Sequence, residues 1–251
     1  MYLKKLSRTL GALGLILIPT LGSTSAQADD VHVAVAANFT AAMKEIAADF
    51  EKASGHHAVL SFGSTGKLYA QISHGAPFEV FLAADQRRPE LLEKEGLASG
   101  RFTYAIGKLV LWSSDANRQV GEQALRSGDF QKVAIANPKT APYGAAAVEV
   151  MRNLGLYQQL KPKLVLGDSI AQTHQFVATG NAQMGFVALA QIALDGTGSR
   201  WPVPDKLYTP IRQDAVLLDK GKHNPAAPAL MAYLKSQAAR AVIHKYGYGT
   251  E

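Results

Sequence analysis

Cysteine is absent from the 251 residues. The fold therefore cannot rest on disulfides, and no free thiol is present to mispair in an oxidising compartment. Strong charge of one sign is also lacking. Twenty-six Lys and Arg against 20 Asp and Glu leave +6, with no dense basic run, which is not the footprint of a nucleic-acid-binding protein. Signatures of common enzyme sites are missing as well. The seven histidines, His32, His56, His57, His74, His174, His223 and His244, form no His-Glu-x-x-His pair or other close ligand spacing. No Gly-x-Ser-x-Gly elbow occurs. The pair Gly66-Lys67 suggests a phosphate-binding loop, but Ser61 stands where the first Gly should be and Leu68 follows the Lys. That double failure sets the nucleotide reading aside.

One apolar run stands out, Gly11–Leu21, and it is too short to span a bilayer. Lys4, Lys5 and Arg8 precede it, and Ala26-Gln27-Ala28 follows with the small residues of a cleavage site. Residues 1–28 thus read as an export signal peptide, with a mature chain beginning at Asp29. Removing its three basic residues leaves +3. Export and the absence of cysteine together suit a bacterial periplasm.

The stretch that organises the remainder is Ser61–Leu68, Ser-Phe-Gly-Ser-Thr-Gly-Lys-Leu. It joins the apolar strand Ala58–Leu60 to a helical pattern through Ile72. A strand-to-helix turn of this kind leaves backbone N–H groups of the new helix unpaired, at the positive end of the helix dipole. It is a ready anion site, although Ser and Thr also serve as ordinary helix caps.

The same strand–turn–helix pattern recurs along the chain. Strand Val31–Ala36 precedes a helix with Asn38 as its N-cap, whose apolar face is Phe39, Met43, Ile46, Ala47 and Phe50. Further strands fall at Val80–Ala84, Lys108–Ser113, Val133–Ala136, Leu164–Leu166, Met184–Val187 and Gln213–Leu218, with helices at Pro89–Glu95, Gly121–Arg126, Ala145–Leu154, Ile170–Thr179 and from Asn224 to the C-terminus. Gly196–Pro204 reads as loop. Alternating strands and helices imply an α/β fold with parallel-rich sheets. Two such units suggest two lobes, 29–108 with 213–251 and an inserted 109–212, with Lys108–Ser113 and Gln213–Leu218 as the crossings. The turns at Asn38, Thr65, Tyr143 and Ser169-Ile170 all sit at carboxyl ends of strands, where open α/β sheets bind ligands. Each also has a plain capping or surface reading. Asp85 and Asp168 lie near element ends, and Asp168 reads as a helix-start residue.

In order and spacing, several pieces resemble the periplasmic molybdate-binding proteins that feed molybdate ABC transporters. They are Val35–Met43, Ser61–Leu68, Gly75-Ala76-Pro77 with Phe81–Gln86, Ala141-Pro142-Tyr143-Gly144, Tyr233–Ser236 and Lys245-Tyr246-Gly247. The resemblance runs from Val31 to about Tyr248. It implies the two-lobed type II periplasmic binding protein fold, and a receptor for molybdate, with tungstate beside it, that is not an enzyme. It also implies a membrane permease as partner, no cofactor and a monomer. Carried over residue by residue, the oxyanion contacts fall on Asn38, on Thr65 with Ser64 beside it, on Tyr143, and on the backbone N–H of Ile170. Some relatives place a ligand-binding Tyr where this chain has Ala188; here the Tyr143 phenol is expected to take that role. A tetrahedral dianion offers only acceptors, so neutral donors suit it, and cavity size would separate it from sulfate. The alternatives are a receptor for sulfate or phosphate and, from another class, a periplasmic enzyme.

Overall fold

The computed structural model describes residues 28–251; the signal-peptide expectation lies outside them except at Ala28. The chain opens with β1 (Asp30–Ala36), a 3-10 turn Ala37–Phe39, α1 (Thr40–Ser54), β2 (His57–Gly63), α2 (Thr65–Ser73), β3 (Val80–Leu82), α3 (Arg87–Lys94) and β4 (Ala98–Gly107). Then come β5 (Leu109–Ser113), α4 (Glu122–Ser127), β6 (Val133–Ala136), α5 (Pro142–Asn153), α6 (Tyr157–Leu160), β7 (Leu164–Gly167), α7 (Ile170–Ala178), β8 (Met184–Ala188) and β9 (Ser199–Pro202). The chain closes with β10 (Ile211–Leu218), α8 (Ala226–Tyr233) and α9 (Gln237–Lys245). Among the described residues no helix is long and apolar enough to cross a membrane.

Two five-stranded sheets result, in the orders β2-β1-β3-β10-β4 and β7-β6-β8-β5-β9. In the first, β1 pairs in parallel with β2 and β3, while β10 runs antiparallel to β3 and β4. The second repeats the plan. There β6 is parallel to β7 and β8, and β5 is antiparallel to β8 and β9. Both faces of each sheet are covered by helices, as parallel strands require. On one face of the first sheet Val31, Val33 and Val35 meet Phe39, Met43, Ile46 and Phe50 together with Leu230 from α8. On the other face Ala34 and Phe81 meet Leu68, Ile72 and Leu92. The α1 stripe is the one read from its spacing, and each of its large side chains contributes roughly 1.5–3 kcal/mol by leaving water.

Four expectations need correction. Ala98–Gly107 is a strand, not a connection, and Ser199–Pro202 is a strand where a loop is expected. Both are edge strands: β4 pairs with β10 and otherwise makes one bridge, from Ile106 to Gly249, and β9 pairs with β5. Edges carry polar residues, Gly and Pro that mask the alternating pattern. Neither β5 nor β10 is itself a crossing: each lies wholly within one sheet, and the chain changes sheets at Lys108 and again between Pro202 and Ile211. Asn38 does not cap α1. It lies inside the 3-10 turn, which carries no side-chain cap bond, and its amide is used elsewhere.

Candidate functional site

Four of the turns marked in the sequence converge. Asn38, Ser64, Thr65, Tyr143 and Ile170 line one small cavity between the two sheets, together with apolar neighbours such as Ala84 and Pro142. All five are buried, none more than 4% exposed. Measured by the positions a water-sized sphere can occupy, the cavity is about 10 Å³, near the limit for a single water. The lobes are closed over it. No charged side chain lines it.

Each residue arrives at the cavity because a helix begins there. Thr65 is the first residue of α2, Tyr143 the second of α5, whose first is Pro142, and Ile170 the first of α7; Asn38 is in the 3-10 turn after β1. Backbone N–H groups at these positions have no partner within their own helix, and Pro at the start of α5 removes a donor that would be unpaired anyway. In α7 the Ser169 hydroxyl accepts from the Gln172 N–H at 3.3 Å, so the cap serves the third position and leaves the Ile170 N–H free of it.

The side chains divide the work. The Ser64 hydroxyl is buried with no hydrogen-bond partner in the protein. A buried unpaired hydroxyl is costly, and here it borders a cavity in need of a polar occupant. The Thr65 hydroxyl accepts from the Ala84 N–H at 3.0 Å and keeps its own proton to give. The Asn38 amide donates to the Gln213 carbonyl oxygen at 2.8 Å and to the Tyr248 phenol at 3.0 Å. The Tyr143 phenol oxygen accepts from the Gln213 amide at 3.2 Å and rests against Gly107, where a Cβ would approach it to 2.1 Å. Neither Gln213 nor Gly107 lines the cavity, so the hydroxyl of Tyr143 lies behind it. Burial pushes the phenols of Tyr143, Tyr104 and Tyr248 well above their ordinary range, keeping all three protonated.

Ala188 does not line the cavity. It ends β8, and its N–H donates to the Gln191 side chain, whose amide in turn donates to the Ile170 carbonyl at 3.0 Å. Gln191 thereby ties the start of α7 to the end of β8. Around the cavity mouth the lobes touch through three contacts. The Gly66 N–H donates to the Thr140 carbonyl at 2.8 Å, Arg88 donates to the Lys139 carbonyl at 3.0 Å, and Lys67 pairs with Asp168 at 2.9 Å. Asp85 pairs with Arg88, so the two aspartates are held by separate cations. Gln213, Gln191, Tyr104 and Tyr248 are absent from the sequence-based site. No motif marks them: Gln213 and Tyr248 find their partners far along the chain, and Gln191 and Tyr104 bond mainly to backbone groups, which no residue type signals.

Residues 31–249 match the family model described as bacterial extracellular solute-binding protein. The molybdate-binding protein ModA of Azotobacter vinelandii is 59% identical over 252 residues, covering 98% of both chains. That of Rhodobacter capsulatus is 52% identical over 243 residues, covering 96% of both. The chain belongs to the ModA family of bacterial extracellular solute-binding proteins. A solved structure, the periplasmic molybdate-binding protein of Azotobacter vinelandii, superposes with a TM-score of 0.85 at 40% identity, over 88% of this chain and 99% of that one. The architecture is accordingly that of the type II periplasmic binding proteins, as the sequence pattern implies.

Proposed function

We propose that this protein is a periplasmic receptor that closes its lobes on molybdate and presents it to the permease of an ABC transporter. The observation that carries the reading is a buried cavity between two lobes, built from helix starts and hydroxyls, with no charge in its wall. Such a wall offers several donors and no negative charge, which matches a dianion that is all acceptor. A protonated ligand would set its own O–H against a donor. Hydrogen bonds to charged groups contribute roughly 1.5–3 kcal/mol each, so a handful outweighs the costs of desolvation and closure. The identity to molybdate-binding relatives supports molybdate over sulfate or phosphate.

The donors are assigned as follows. Ser64 and Thr65 give hydroxyl protons. Asn38, Thr65, Tyr143 and Ile170 give backbone N–H groups, because both Asn38 amide protons are taken by Gln213 and Tyr248 and the Tyr143 hydroxyl lies behind the cavity against Gly107 and Gln213. Ala188 contributes none. Residues 29–107 with 211–251 form one lobe and 109–202 the other, moving about Lys108 and the 203–210 segment, since a cavity walled by both lobes admits its anion only when the lobes part. The oxyanion is cargo, not cofactor, tungstate is accepted beside it, and the receptor works as a monomer and not as an enzyme.

Calorimetric titration of residues 29–251 with molybdate, tungstate, sulfate and phosphate tests this. Tight 1:1 binding of the first two alone is expected. Binding of sulfate or phosphate instead would keep the receptor and overturn the ligand, and no binding of any would overturn both.

A further inference from the structure

Gln213 is fully buried in β10, and its side chain joins three elements that the sequence keeps far apart. Its carbonyl oxygen accepts from the Asn38 amide at 2.8 Å and shares with the Ala83 carbonyl the single proton of the Tyr104 phenol, 3.1 Å from each. Its amide donates to the Tyr143 phenol oxygen at 3.2 Å. Asn38 and Tyr104 belong to the first sheet's lobe and Tyr143 opens α5 beside the second sheet. The polarity is fixed at each end. The carbonyl faces the Asn38 amide and the Tyr104 hydroxyl, and the amide faces the Tyr143 oxygen. A second tie holds Asn38 from the other side: Tyr248 donates to the Asn38 carbonyl at 2.7 Å and accepts from its amide at 3.0 Å.

We infer that Gln213 is the positioning residue of the anion site: it touches no ligand, but its amide sets where the backbone N–H groups of Asn38 and Tyr143 point, one from each lobe. This rests on the oxyanion reading above. A satisfied buried network specifies one geometry, and a half-satisfied one does not. Gly107 marks how closely the parts fit. A Cβ there would meet the Tyr143 oxygen at 2.1 Å and the Gln213 amide at 2.7 Å. The groups facing Gln213 are the three phenols of Tyr104, Tyr143 and, through Asn38, Tyr248. The neighbouring carboxylate, Asp214, is bound by Arg101 at 2.7 Å, Thr103 and Gln86.

The test is molybdate titration of wild type, Gln213→Met and Gln213→Glu at pH 8 and pH 5.5, with thermal unfolding of each. Gln213→Met removes every polar contact without adding charge and is expected to bind at least tenfold more weakly at both pH values. Gln213→Glu is expected to be weak at pH 8 and to recover at pH 5.5, where a protonated carboxyl again has one donor and one acceptor; a role in packing alone would leave Gln213→Met, of similar volume, at wild-type affinity. Wild-type affinity in folded Gln213→Met, or no pH-dependent recovery in Gln213→Glu, overturns the inference. If neither variant folds, Tyr143→Phe deletes only the acceptor of the Gln213 amide, and unchanged affinity there overturns it equally. A wild type that binds no molybdate overturns the oxyanion reading itself, whereas variants indistinguishable from a binding wild type count against Gln213 alone.

Discussion

Ser64 and Thr65 are adjacent hydroxyls with different obligations. The Ser64 oxygen has no partner in the protein, whereas Thr65 supports the Ala84 N–H at the end of β3. Removing the first should leave the empty protein as stable as before or slightly more so, because an unpaired buried hydroxyl is removed with it. Removing the second strands a buried N–H and should cost about 1–3 kcal/mol of folding stability. Both should weaken anion binding by roughly tenfold or more, the equivalent of one hydrogen bond to a charged group. Thermal unfolding of Ser64→Ala and Thr65→Ala without ligand, set beside calorimetric affinities, separates the two roles. If Ser64→Ala bound molybdate as tightly as wild type, Ser64 would have no part in the site.

At the scale of the element, α2 carries a glycine where a better helix former would be expected. Replacing Gly66 by Ala in an isolated helix gains about 1 kcal/mol. Here the added Cβ would lie 2.9 Å from the Thr140 Cα and 3.1 Å from its carbonyl oxygen, backbone of the opposite lobe. Gly66→Ala is therefore expected to leave the melting temperature unchanged or raised while weakening molybdate binding, and small-angle scattering should report a larger radius for the liganded variant. An unchanged affinity would mean that the Gly66–Thr140 contact is not part of closure. The alternation of strands and helices, the α1 stripe and the helix starts at Thr65 and Ile170 are all legible in the sequence, since each depends on residues within about one turn of each other. What escapes it is long-range or lies at edges. β4 and β9 lie at sheet edges, and their composition is that of connections. Asn38 has the residue type of a cap, but its amide is claimed by Gln213, 175 positions away. Tyr143 is found by its turn, yet only the packing against Gly107 reveals that its hydroxyl lies behind the cavity.

For the whole molecule, the join between the lobes is also where its buried acids are concentrated. Tyr104, Tyr143 and Tyr248 all carry phenols raised well above 10.0, in each case first by burial. Unfolded, each would ionise near that ordinary value. Below it the three contribute their full stability. As pH rises past it, the unfolded chain releases protons that the native one retains, so stability falls. Three phenols together lose about 4 kcal/mol per pH unit. Against a typical margin of about 5–15 kcal/mol, the fold should fail cooperatively within a few units above pH 10. Tyrosinate absorbance at 295 nm and far-UV circular dichroism should then move together for these three residues, after an earlier rise from the less buried tyrosines. Molybdate should raise the midpoint, because it binds only the closed native state. If Tyr104, Tyr143 and Tyr248 ionised near pH 10 with the dichroism still native, the join between the lobes would be open to hydroxide and the network around Gln213 could not be a dry one.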